Sequence, residues 1–113
     1  MLIASLMKLV QNLWPCTEIE YSPMKGKSKA ERKRLERHHT LLHHLKAIGR
    51  LSDALESHDH GAPLDHEALR KAIGTMFMNL ARIATACDIT PGELENFFTE
   101  WSTRRAQEQS DKT

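Results

Sequence analysis

The feature that most constrains this chain is a phrase used twice. Lys46-Ala47-Ile48-Gly49 returns as Lys71-Ala72-Ile73-Gly74, each inside a long run whose apolar residues recur at helical spacing. Between the runs, Ser57-His58-Asp59-His60-Gly61-Ala62-Pro63 has the composition of a loop. Two long amphipathic helices folded back on each other satisfy both facts. With the turn near Gly61 the two phrases face each other, so that position 50 meets 72 and positions 46–47 meet 75–76. The stretch from His38 to Cys87 is therefore the frame on which the rest is hung.

Ahead of it, Leu2, Ile3, Leu6, Leu9, Val10 and Leu13 predict a first helix. That helix stops before Pro15, because the residue before a proline avoids the helical region. Lys8 is its single basic residue, which favours a packing face over a membrane-surface helix. Trp14 to Lys27, with Pro15, Pro23 and Gly26, reads as a connecting segment in which Glu18-Ile19-Glu20-Tyr21 alternates weakly as a short extended piece.

Ser28-Lys29-Ala30-Glu31 has the form of a capping box and starts a second helix that runs to about Ser57, a rod of roughly 40 Å. Its apolar stripe is Leu35, Leu42, Leu45, Ile48, Leu51 and Leu55, widened by Leu41. A third helix begins at about Leu64 or Asp65 and is expected to bury Leu69, Ile73, Met76, Phe77, Leu80, Ile83, Ala84 and Cys87. The small residues Ala81, Ala84 and Ala86 permit close helix approach. Thr90-Pro91-Gly92-Glu93 is a second capping box, with proline where its missing N–H costs nothing. The fourth helix carries Leu94, Phe97, Phe98 and Trp101, and the polar tail 104–113 is expected to fray.

The expected fold is all-α: a long antiparallel hairpin flanked by N-terminal and C-terminal helices. One domain spans 1–113, with 1–27 as first helix and connector, 28–103 as helical core and 104–113 as tail. Aromatic residues make up 5% of the chain, so its core is aliphatic, and amphipathic helices in so small a chain complete their core by association. A homo-oligomer is expected.

The net charge of +1 provides no global field for nucleic acid. Two cysteines, Cys16 and Cys87, make no disulfide framework, which fits a reduced, cytoplasmic setting. The apolar start lacks a basic flank and a small-residue cleavage site, so no secretory leader is expected. No run approaches the ~18 apolar residues of a membrane span, so no membrane role is expected.

From about Leu42 to Trp101 the chain resembles the MazG-like all-α NTP pyrophosphohydrolases. The resemblance rests on Ile-Gly-x-Leu-x-x-Ala-Leu in the first long helix, then Ile-Gly-x-x-Phe-x-Asn-Leu-Ala-Arg-Ile-Ala, then Asp-Ile-Thr and a final helix. Enzymes of that family hold Mg²⁺ with Glu-Glu-x-x-Glu and Glu-x-x-Asp on the two facing helices. Hard oxygen ligands suit that ion. Here those positions carry Lys46, Ala47 and Arg50, and Ala72 and Thr75. The resemblance thus implies a MazG-like helical bundle without its acidic metal motifs, and no cofactor is predicted from it.

That replacement defines the principal candidate site. Lys46 and Arg50 supply positive charge where carboxylates would hold cations, Thr75 offers a hydroxyl and Asn79 a polar contact one turn on. Arginine suits bidentate phosphate contact and lysine acts as a point charge. The reading is a non-catalytic module that binds a nucleotide, another phosphate ligand or a protein partner.

One alternative is a pyrophosphohydrolase with a displaced Mg²⁺ site, built from Asp53 and Glu56 with Asp59, faced by Glu67. The bland counterpart is a solvated acidic end paired with Arg70 and Lys71. Another alternative is nucleic-acid binding through the basic 25–37 segment, with Lys29, Arg32, Lys33, Arg34 and Arg37 on phosphates. No aromatic residue interleaves them, and a solvated helix start is the plainer account. Finally, His39 and His43 stand at i, i+4, a spacing that can bind zinc or nickel, or can make a helix face pH-responsive.

Overall fold

In a computed structural model, residues 2–14 and 21–112 are described, and they form four α-helices and a short 3-10 turn, with no strand among the described residues. The helices are α1 (Leu2–Leu13), α2 (Lys29–Asp59), α3 (His66–Ala86) and α4 (Pro91–Asp111), and the 3-10 turn is Ser22–Met24.

Local chemistry sets the helix ends. The Ser28 hydroxyl accepts from the Glu31 amide at 3.2 Å, and Thr90 accepts from Glu93 at 3.2 Å behind Pro91. Asp65 caps α3 by accepting from the Ala68 amide at 3.0 Å. Each side chain satisfies one of the orphan amides of a first turn. At the hairpin, Ala62 N–H donates to the Ser57 carbonyl and Gly61 N–H to His58, both at 3.0 Å. This pair of bonds ends α2 and requires a left-handed residue, supplied by Gly61 at φ 100°. The same pair of bonds ends α3, from Ile89 to Ala84 and from Asp88 to Thr85, with Asp88 at φ 60° in the glycine role.

α2 and α3 pack antiparallel along the hairpin. The side chains buried between them are small or polar: Thr40 and Ala47 on α2, and Ala72, Asn79 and Ala86 on α3. Their seven-residue spacing is that of a two-helix seam, and alanine lets the backbones approach closely. Ala47, from the first copy of the repeated phrase, is 0% exposed, and Ala72, from the second, is 3% exposed. α1 lies on α3 and α4, where Met7 and Val10 meet Ala81 and Ala84, with Ile3, Leu6, Trp14 and Leu94 packed around them. Met24 of the 3-10 turn is buried against α2.

Several expectations are corrected. The leucine stripe of α2 is not the buried face: Leu41, Leu42, Leu45, Ile48 and Leu55 are exposed. On α3, Ile73, Phe77, Leu80 and Cys87 are exposed as well, and Cys87 sits at the helix cap. A two-helix seam is narrow, and small side chains fill it, so the large ones flank it. Met7 replaces the outer leucines Leu2, Leu9 and Leu13 as an anchor of α1.

The tail is helical to Asp111, supported by Arg105–Glu108 at 3.3 Å and Gln107–Asp111 at 3.1 Å. α2 runs to Asp59, beyond Ser57. The weak alternation at 18–20 lies outside the described residues.

Candidate functional site

The hairpin brings half of the principal candidate set together. Arg50, Ala72 and Thr75 line one groove of about 670 Å³, with Arg70, Lys71, Gly74 and Met78 around it. Position 50 thus shares a groove with position 72, as the register across Gly61 implies, whereas Lys46, expected opposite Thr75, is absent from the lining. Arg70 is held by Glu67 through bonds of 3.0 and 2.6 Å, and Lys71 lies 3.8 Å from the same carboxylate. Arg50 has no ion-pair partner among the described residues. Among the described residues no carboxylate lines this groove, and of its three cations Arg70 and Lys71 are shared with Glu67 just outside it.

Lys46 and Asn79 do not join it. Lys46 turns to the other flank of α2, where a second groove is lined by His39, Leu42, His43 and Leu45. Asn79 is 0% exposed in the seam, and neither its Oδ1 nor its Nδ2 has a hydrogen-bond partner. The hydroxyl of buried Thr40 is likewise unpaired. Polar groups left so cost stability, and in helix pairs they are used to set register.

Three of the five basic candidates make contacts within the chain. Lys33 pairs with Asp88 at 2.8 Å, Arg37 donates to the Ala86 carbonyl at 3.3 Å, and Arg32 donates to the Lys27 carbonyl at 3.0 Å. Lys29 and Arg34 have no comparable contact among the described residues. Cations oppose the dipole at the start of α2, but here they face the C-terminal end of antiparallel α3, where positive charge is favourable. The Lys33 hydrogen bond, followed by its charge, holds the Asp88 carboxyl below the usual carboxylate range.

The acidic alternative is dispersed. Glu67 serves Arg70 and Lys71, and Glu56 lies 3.8 Å from His60. Among the described residues no group of three or more His, Cys, Asp or Glu side chains converges, Asp53 and Asp59 included.

Two features were not foreseen. Arg82 is 5% exposed, its Nε has no partner, and its guanidinium carbon lies 3.9 Å from the centre of the Trp14 ring. An arginine within Leu80-Ala81-Arg82-Ile83-Ala84 was the available signal for a buried cation.

The second is how tightly the histidine pair is dressed. His39 and His43 bring their Nε2 atoms to 3.1 Å, Tyr21 stacks on His39 at 3.9 Å, and Trp14 meets His43 edge-on at 6.3 Å. Burial first, and then the charges of neighbours, lowers the pKa of both rings. For His39 these are His43, Arg82, Lys46 and His38, and for His43 they are Lys46, Arg82 and Arg50.

No helix of the described residues is long and apolar enough to cross a membrane. No family model matches the chain, and no curated protein or solved structure matches it either.

Proposed function

We propose that this chain is a non-catalytic, MazG-like helical module that assembles with its own copies and takes a phosphate-bearing ligand, a nucleotide, in the groove of Arg50 and Thr75. The observation that carries the reading is the placement beside Thr75 of an arginine that, among the described residues, has no ion-pair partner and no carboxylate in the lining of its groove. A guanidinium offers a phosphate two parallel N–H donors, and the threonine hydroxyl adds a third. Ala72 and Gly74 leave space for the ligand to approach the backbone. In the resembled family carboxylates at these places hold the cations that hold the phosphates, whereas here the positive charge belongs to the chain.

Assembly is supported by surface area. The chain exposes 8389 Å², against about 6,300 Å² for a folded monomer of this mass. The excess is on the order of 2,000 Å², and a standard interface removes about 800 Å² from each partner. The radius of gyration is 17.8 Å, against about 13 Å for a compact chain of this length. Leu41, Leu45 and Ile48 on α2 and Ile73, Phe77 and Leu80 on α3 supply apolar surface for a second copy.

Calorimetric titration with nucleoside triphosphates in EDTA tests the reading. Wild-type chain is expected to bind and Arg50→Ala to bind at least ten-fold more weakly. Equal binding by both, or by neither, overturns it. Pyrophosphate release in Mg²⁺ overturns the non-catalytic part and returns the case to a displaced metal site. A nucleic-acid mobility shift that survives Arg50→Ala and vanishes with added salt moves it to the basic segment.

A further inference from the structure

His39 and His43 sit one turn apart on α2 with their Nε2 atoms 3.1 Å from each other. Two imidazole nitrogens bound to one ion at ~2.0–2.1 Å, in neighbouring positions of its coordination sphere, stand about 2.9–3.4 Å apart. The pair therefore already holds the separation of a two-point chelate. In the free protein one proton bridges the gap as N–H···N. To take an ion, the ring carrying that Nε2 proton transfers it to Nδ1 through solvent, with no net proton released from neutral rings.

We propose that His39 and His43 together bind a divalent transition ion of borderline softness: Cu²⁺, Ni²⁺ or Zn²⁺. Neutral imidazole suits these ions, whereas Mg²⁺ and Ca²⁺ prefer oxygen. The rings are positioned beforehand. Tyr21 lies flat on His39 with an 18° interplanar angle, and Trp14 abuts His43 at 74°. Outer contacts of this kind fix the direction in which a ligating ring points.

The pair opens on the groove of Leu42, Leu45 and Lys46, which leaves the outer side of the ion to water. Among the described residues no third His, Cys, Asp or Glu side chain converges on the pair. Arg82 from α3, with Lys46 and Arg50 from α2, places positive charge nearby. That charge opposes a cation and favours the ion with the strongest metal–imidazole bond, so Cu²⁺ ranks first. This site is separate from the Arg50 groove and stands or falls independently of it.

Calorimetric titration of the full chain with CuCl₂ and with ZnCl₂ at pH 7.5, joined to electron paramagnetic resonance of the Cu²⁺ form, tests the proposal. One ion per chain is expected, Cu²⁺ tighter than Zn²⁺, with hyperfine splitting from two imidazole nitrogens. His39→Gln and His43→Gln are each expected to weaken binding at least ten-fold, while the double variant His58→Gln/His60→Gln leaves it unchanged. Undiminished affinity in either single variant, loss of binding in the loop variant, or fewer than two nitrogens at Cu²⁺ overturns the proposal. Should a single variant fail to fold, the nitrogen count of the wild-type chain decides.

Discussion

The guanidinium of Arg82 lies beneath the ring of Trp14, 3.9 Å from carbon to ring centre, and this contact fastens the end of α1 to the C-terminal part of α3. Arg82 is buried without a carboxylate partner among the described residues, and the indole face offsets the desolvation of its charge.

The two halves of that contact are expected to respond unequally. Trp14→Ala removes a large half-buried ring and leaves a buried cation uncovered, so it destabilises the fold by about 2–3 kcal/mol. Arg82→Met loses the cation–π attraction but also removes an unpaired buried group, and costs less than about 1 kcal/mol. Urea unfolding at fixed protein concentration measures both. A larger loss in Arg82→Met than in Trp14→Ala would mean that Arg82 has a stabilising partner other than Trp14.

Acid is expected to loosen the same region. His39 and His43 have lowered pKa values in the folded chain, through burial and then neighbouring charge. Below an unfolded-state value of about 6.5 the unfolded chain therefore binds more protons than the folded one. Stability falls as pH drops through 6.5 towards the folded-state values, and is fully present above it. In EDTA the urea midpoint is expected to be lower at pH 5.5 than at pH 7.5, with a smaller difference in His39→Gln/His43→Gln. A midpoint that rises on acidification contradicts the sign.

Assembly is expected to depend on the flanks of the hairpin. Light scattering at micromolar concentration is expected to return at least a dimer mass for the wild-type chain. Leu45→Glu and Phe77→Glu place charge on apolar flank positions, Phe77 being 59% exposed, and neither disturbs the alanine seam. Each is expected to give monomers that remain helical by circular dichroism. A wild-type monomer mass ends the assembly argument.

Asn79 offers a test of the seam. Both polar atoms of its amide are buried and unpaired, so Asn79→Ala exchanges a desolvation penalty for a small void. The unfolding free energy from urea titration is expected to stay level or rise, by up to about 1 kcal/mol. A fall of similar size would mean that the amide is hydrogen-bonded in the assembled state.

What the sequence determined by itself is what short-range chemistry decides. Ser28, Thr90 and Pro91 placed the starts of α2 and α4, because a cap acts on amides two or three residues away. Gly61 placed the turn, and the turn alone put Arg50 opposite Ala72.

What only the tertiary structure decided is which residues face inward. Periodicity marked the leucines of α2, but the burying surface is another helix, and two helices close most tightly on Thr40, Ala47, Ala72, Asn79 and Ala86. Hydropathy does not single out alanine against leucine, whereas backbone distance does. The same reason hid Arg82, whose burial depends on a tryptophan 68 positions away in sequence, and the ring contacts of Tyr21 with His39, which join segments that no local pattern connects.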